Sequence, residues 1–396
     1  MRVMVVHNRY RSGTPSGENR VVDREHDALA GLGHEVIRFE RCSDEIEGWS
    51  VARKATLPAR IVWSREAYRD LTAALRQHRP DVVHMHNSFP LFGPAVLYAC
   101  RDAAVPVVIT IHNKRLMCAS GDFFRNGVVC HDCLHGPAVQ AVAHGCYKGS
   151  RLATATVVVA TSAHRQAWRS MVSAYVFASA SQRDLLSGLD LGPDRVFVRY
   201  NLIPRLRMRQ VPRDDTVMFA GRLETQKGLA QLMAAWDQYR AESPSPGLRL
   251  VIVGGGELQQ KVTAWAATRP SVEVAGHVDD TRFSDLMSRA RAILLPSACE
   301  ETFGLVAVEA MAAGTPPVAT AHGAFTELIT PGTDGVLVPP GDAPALARAI
   351  ADIDANPAQY QAYGAQARDT YEKRFDPDRN LEQLLDIYRY AIANPV

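Results

Sequence analysis

No apolar run in this 396-residue sequence reaches the roughly 20 residues that a bilayer-spanning helix needs. The opening Met1-Arg-Val-Met-Val-Val is too short for a secretory apolar segment and no cleavage site follows it, so the cytoplasm is the expected location. A dominant charge is also lacking: the net value is +2. No DNA- or RNA-binding motif accompanies it, which leaves nucleic acid an unexpected partner. There is no complete Gly-x-Gly-x-x-Gly. The nearest run, Gly254-Gly255-Gly256-Glu257, has Gln259 where the third glycine belongs, so NAD binding is not expected. Cysteine is scarce. Seven in a cytosolic chain of this length argue for thiols or metal ligands and against disulfides.

What is present suits two ordinary globular domains: 47% apolar and 22% charged residues can bury a sizeable core. The small net charge hides an asymmetry. Up to Arg205 there are 26 Lys/Arg against 18 Asp/Glu, and beyond it 18 against 24. The basic half can face an anionic substrate or a phospholipid, which makes peripheral contact with the inner membrane face an expectation to test. Arg53, Lys54, Arg60, Arg65 and Arg69 interleave with Trp49, Ile61, Val62 and Trp63, and Pro58 interrupts any helix there. That stretch reads either as a lipid-facing basic helix or, by preference, as a surface helix with its arginines in water.

Each half alternates strand, loop and helix, the pattern of an α/β domain with a parallel sheet. Arg2 to His7 is a strand, a loop with Gly13 and Gly17 follows, and Asn19 to Leu32 is a helix. Asp81 to Asn87 and Val105 to Ile111 are further strands, ending at His86 and His112. A histidine just past the carboxyl end of a central strand is where open α/β sheets bind ligands. The pattern restarts at Thr216 to Ala220. Arg222 and Lys227 leave that strand, five apart, and two fixed cations there can neutralise a diphosphate leaving group. The strand Ala292 to Leu295 leads through Glu300, Glu301 and Thr302 into a helix from Phe303 to Ala313, stopped by Gly314. Glu301 and Glu309 are carboxylates about two helical turns apart, able to accept hydrogen bonds from sugar and ribose hydroxyls. The backbone N–H groups of Phe303, Gly304 and Leu305 suit a phosphate.

Cys118, Cys130, Cys133 and Cys146 fall within 29 residues, and Cys130-His-Asp-Cys133 has the knuckle spacing of a zinc site. A structural zinc and a set of separate thiols are both compatible with it. Four thiolates would close the coordination shell, which argues against a catalytic zinc.

The strings Gly221-Arg-Leu…Lys227-Gly228 and Pro296-Ser…Glu301-Thr-Phe-Gly-Leu…Glu309…Ala313-Gly-Thr-Pro resemble the donor site of the retaining glycosyltransferases of family 4. The resemblance runs from the Gly17 loop to the last helix. It implies a GT-B fold: α/β, with two Rossmann-like domains facing a central cleft. The expected division is an acceptor-side domain over 1–204, a nucleotide-sugar domain over 205–375, and a helix over 376–396 that returns to the first domain. By resemblance Arg222 and Lys227 grip the diphosphate, Glu309 binds ribose, Glu301 contacts the donor sugar with help from the amides of Phe303 to Leu305, and His112 lies by the sugar. Gly17 permits close approach of the first loop. The family usually carries Gly-Gly there, whereas this sequence has Ser16-Gly17, so only Gly17 carries over. The implied activity is transfer of a sugar from a nucleoside diphosphate to an acceptor hydroxyl, with retention and without a catalytic metal or cofactor. A phosphorylase or nucleotide-sugar epimerase of the same fold is the alternative.

Overall fold

The structure, a computed structural model, describes residues 1–13, 16–205 and 212–396. The chain divides into two compact units. One comprises Met1–Arg125, Cys130–Leu202 and Asp378–Val396, and the other Asn126–Val129 and Ile203–Pro377. Of the expected division at 204/205, the first residues of the second domain, 206–211, lie outside the described residues.

The first unit is built on six parallel strands: β1 Arg2–Arg9, β2 Glu35–Cys42, β3 Val82–Asn87, β4 Val107–Ile111, β5 Ala174–Phe177 and β6 Val196–Val198, in the order β2-β1-β3-β4-β5-β6. Side chains alternate along a strand, and this parity decides what the sheet offers. Val3, Val5, Val82, Val108, Ala174 and Val176 form one core with Val22 and Leu29 of the helix Gly17–Gly31 and Leu384, Ile387 and Tyr388 of the helix Pro377–Ala393. Two or four residues further along the same strands or just past their ends come His7, His84, His86, Thr110 and His112. The apolar floor therefore passes, with no change of face, into a polar row at the carboxyl ends of the strands.

The second unit repeats the plan with β7 Thr216–Ala220, β8 Arg249–Val253, β9 Val272–Gly276, β10 Ala292–Leu295, β11 Pro317–Thr320 and β12 Val336–Val338, in the order β9-β8-β7-β10-β11-β12. Counted within the unit this is 3-2-1-4-5-6, the dinucleotide-fold order. Its direction of winding reverses between β7 and β10, so the loops leaving those strands diverge above the sheet and leave room for a ligand. Trp236, Tyr239, Leu250, Ile252, Leu294, Ile350 and Tyr360 are among the side chains of its core.

Element boundaries differ modestly from those expected. The helix after Glu301 begins at Leu305, because Gly304 is left-handed (φ 83°) and caps it. The strand β11 opens at Pro317, where a missing N–H is tolerated. The Trp49 to Gln77 stretch forms three helices, Val51–Ala55, Leu57–Val62 and Arg65–His78, with Pro58 in the first turn of the second. There Arg53 and Arg60 both ion-pair with Glu66 and stack on Trp49. Those arginines are committed to a carboxylate and a ring, which weighs against a lipid-facing helix. No described helix is long and apolar enough to cross a membrane.

Candidate active site

In the second unit four loops are tied together above β7 and β10. Gly228 is left-handed, and a Cβ on it would lie 1.7 Å from the Pro296 carbonyl oxygen. Only glycine lets the Arg222–Lys227 loop touch the loop after β10 this closely. The Ala298 amide then donates to the Gln226 carbonyl at 2.8 Å. The Gly254–Gly256 turn closes on the same loop: the Leu223 amide donates to the Gly255 carbonyl at 2.9 Å. On the other side the Ala324 amide donates to the Glu301 carbonyl at 3.0 Å.

This scaffold brings two of the predicted donor residues, Lys227 and Glu301, into contact. Lys227 Nζ donates to Glu301 Oε1 at 2.5 Å, and Ser297 Oγ donates to the same oxygen at 2.6 Å. Ser297 is itself held, since its carbonyl accepts from Thr320 Oγ1 at 2.9 Å and lies 2.8 Å from His322 Nε2. Burial works against the Lys227 ammonium, but Glu301 and Cys299 outweigh it and hold the amine above its ordinary range. Arg222 pairs with Glu224 at 2.8 Å. Glu309 is buried on the helix Leu305–Ala312. No side chain caps that helix; the Ala307 amide donates to the Gly304 carbonyl at 2.9 Å, and the two amides before it, of Leu305 and Val306, have no acceptor within the helix. Phe303 is buried, and Gly304 packs against the Phe325 ring. Ser297, Thr320 and His322 escaped sequence reading. They lie close to Glu301 in sequence or one strand over, but their role appears only once β10 and β11 are paired.

In the first unit His112 follows β4, and the structure surrounds it with partners the sequence does not announce. His86 Nδ1 and His112 Nε2 lie 2.9 Å apart in stacked rings. His86 Nε2 faces Glu25 Oε2 at 3.6 Å, and Glu25 Oε1 accepts from Arg199 Nη1 at 2.7 Å. His84 is held by Tyr388 at 2.7 Å and Thr110 at 2.8 Å. Burial, with Arg199 and the neighbouring imidazoles adding to it, depresses all three histidines, His112 to about 3. They are neutral at physiological pH. Gly17 opens the helix Gly17–Gly31, with Ser16 Oγ accepting from the Asn19 amide at 3.2 Å.

Among the described residues, the metal-type ligands that gather within 4.8 Å are Glu25, His84 and His86, not the cysteines. Both His84 nitrogens are already hydrogen-bonded and Arg199 neutralises Glu25, so this group is a buried polar network and not a cation site. Cys118, Cys130, Cys133 and Cys146 are free thiols. Burial and then the neighbouring cysteines push Cys133 up to about 11, and burial raises Cys146 too, which places the four in one locality.

Comparison with known proteins decides the family. Residues 15–205 match the model for Glycosyltransferase Family 4, and residues 214–356 that for Glycosyl transferases group 1. This chain belongs to the family 4 glycosyltransferases. The glycosyltransferase is 29% identical over 418 residues to glycogen synthase of Mycobacterium tuberculosis, covering 95% of this chain and 91% of that protein. It is 31% identical to D-inositol 3-phosphate glycosyltransferase 1 of Catenulispora acidiphila, over 79% of this chain and 72% of that one. Among solved structures it resembles sucrose-phosphate synthase of Thermosynechococcus elongatus (TM-score 0.72, 20% identity, 99% of both chains). It also resembles Anabaena HepE solved with UDP and glucose (TM-score 0.67, 19% identity, 98% of both chains). These likenesses establish the GT-B fold, and the enzyme is a glycosyltransferase that uses a nucleoside-diphosphate sugar.

Proposed function

We propose that the second unit of this glycosyltransferase holds the donor through Arg222, Lys227, Glu301 and Glu309, and that the first unit holds the acceptor. The observation that carries the reading is the Lys227–Glu301 pair, fixed by Ser297 above the point where the sheet reverses. An ammonium has three donors. With one given to Glu301, others can reach diphosphate oxygens, so the sugar-binding carboxylate and the phosphate-binding cation locate each other. Arg222 adds a second cation, and the amides from Gly304 and Leu305 add dipoles suited to phosphate. Together they stabilise the charge that builds on the departing diphosphate. Glu309 is assigned to the ribose hydroxyls and Glu301 to hydroxyls of the sugar. His112, neutral, is assigned to the sugar as a hydrogen-bonding group and not as an acid.

In the transfer the C1–O bond to the diphosphate breaks and a bond from C1 to the acceptor oxygen forms on the same face. The acceptor proton passes to the leaving phosphate oxygen, which is consistent with retention. The experiment is Glu301→Ala with a panel of nucleotide sugars. Transfer is expected to fall at least about 100-fold, by analogy with losing one transition-state contact, while nucleoside diphosphate still binds. Unchanged turnover contradicts the assignment.

For the four-cysteine loop we propose a structural zinc, bound when the thiols, already neighbours, draw inward. Elemental analysis of the purified protein checks it. One zinc per chain, with a lower melting temperature after chelation, is expected; absence of zinc sets the proposal aside.

A further inference from the structure

The loop after β1 and the helix Gly17–Gly31 carry two buried polar atoms that face each other without touching. His7 Nδ1 and Glu18 Oε1 lie 3.9 Å apart, and neither has a hydrogen-bond partner among the described residues. The His7 side chain is 0% exposed and that of Glu18 is 9% exposed. Buried polar groups are ordinarily satisfied, and the spacing of this unsatisfied pair suits one oxygen placed at hydrogen-bond distance from both. The place in the fold is where a ligand is expected. In the first sheet the strand order reverses between β1 and β3, and open α/β sheets bind ligands at the carboxyl ends of the strands there. Asn113, next to His112, is close enough to favour the Glu18 carboxylate.

The proton positions follow from the partners. Asn19 Oδ1 lies 2.8 Å from His7 Nε2 and also accepts from the Tyr10 amide at 3.4 Å. His7 therefore carries its proton on Nε2, and Nδ1 is a bare acceptor. Around Glu18, Tyr10 donates to Oε2 at 3.1 Å, and Arg115 and Asn113 favour the carboxylate. Burial outweighs them and pushes the carboxyl up to about 8. At neutral pH Glu18 is thus mostly a carboxylic acid, able to donate.

We propose that His7 and Glu18 form a site for a hydroxyl of the acceptor, which receives a hydrogen bond from Glu18 and gives one to His7 Nδ1. The ligand class of this site is accordingly an alcohol. This rests on the glycosyltransferase reading, with the first unit as the acceptor side. No proton is transferred in the binding. Glu18 and His7 orient the alcohol, and above pH 8 the ionised Glu18 can no longer donate to it.

The test uses glycerol as the hydroxyl probe on the full chain. The Glu18 carboxyl is titrated by carbon NMR with and without glycerol, Glu18→Gln identifying the resonance. A ligand that binds the protonated form raises the midpoint, so the value near 8 is expected to move upward in glycerol. Glycerol binding is expected to weaken about tenfold in Glu18→Ala, the scale of one hydrogen bond. Glu18→Gln, whose amide still donates, is expected to bind glycerol like the wild type and to lose the pH dependence. A midpoint indifferent to glycerol overturns the proposal, as does an ordered water between the two atoms that glycerol never displaces in crystals. Binding of UDP, GDP and ADP is measured on the same samples. If none binds the wild type, the glycosyltransferase reading fails; if one binds and glycerol is ignored, only the hydroxyl site fails.

Discussion

At the scale of single residues the two units differ in charge. Arg222 and Lys227, proposed for the diphosphate, belong to the second unit, while the histidines of the first are kept neutral by burial. His112 is the sharpest case. Its nearest imidazole is His86, which is turned toward Glu25, and Arg199 neutralises that carboxylate. A second positive charge would be unwelcome there. His112 is therefore expected to stay unprotonated as pH falls from 7 to about 3, whereas an exposed histidine titrates near 6.5. Imidazole NMR across that range checks it; titration of His112 above pH 6 contradicts its assignment as a neutral hydrogen-bonding group. The sign is that of a base whose charged form is disfavoured. The folded state binds the proton less readily than the unfolded chain between about 3 and 6.5, so this group weakens the fold as pH falls through that window.

At the scale of elements, glycines decide how closely the donor loops approach. Gly228 combines a left-handed backbone (φ 70°) with a carbonyl where its Cβ would sit. The backbone alone costs about 1–3 kcal/mol with a side chain present, and the clash adds to that. Gly228→Ala is therefore expected to lower the unfolding midpoint in urea and to weaken donor binding together. An unaltered midpoint contradicts the packing described. The sequence revealed this loop well, because Gly221, Arg222, Lys227 and Gly228 stand in one short string whose spacing carries geometry. Glu301 and Glu309 were legible for the same reason. The partners of His112 were not: Glu25 lies on a helix, His86 on β3 and Arg199 just past β6, far apart in the chain, and only the folded sheet with its helix brings them together. His7 and Glu18 are near in sequence, but their facing atoms depend on how the helix Gly17–Gly31 sits on β1. The helix Pro357–Arg374 was not anticipated either. Its hydrophobic pattern is weak, and it buries small and aromatic residues, Gly364, Ala367 and Tyr371, in place of an aliphatic stripe. Both six-stranded sheets followed from apolar runs separated by helices, as parallel sheets buried on both faces require.

At the scale of the whole molecule, the two units share an architecture and differ in chemistry. The first carries the excess of basic residues, yet Arg41, Arg53 and Arg60 converge on Glu66, so the excess does not become a bare cationic face at that point. The second is acidic overall, and its Arg222 and Lys227 are each paired with a carboxylate, Glu224 and Glu301. In the proposed function Lys227 is one of two side chains carrying the diphosphate. The most direct measurement is calorimetric titration of wild type and Lys227→Ala with UDP, GDP and ADP. Truncating a buried, hydrogen-bonded charge costs about 2–5 kcal/mol, so the preferred diphosphate is expected to bind at least about 30-fold more weakly to the variant at unchanged fold. Equal affinity of the two proteins for that nucleotide would contradict the account.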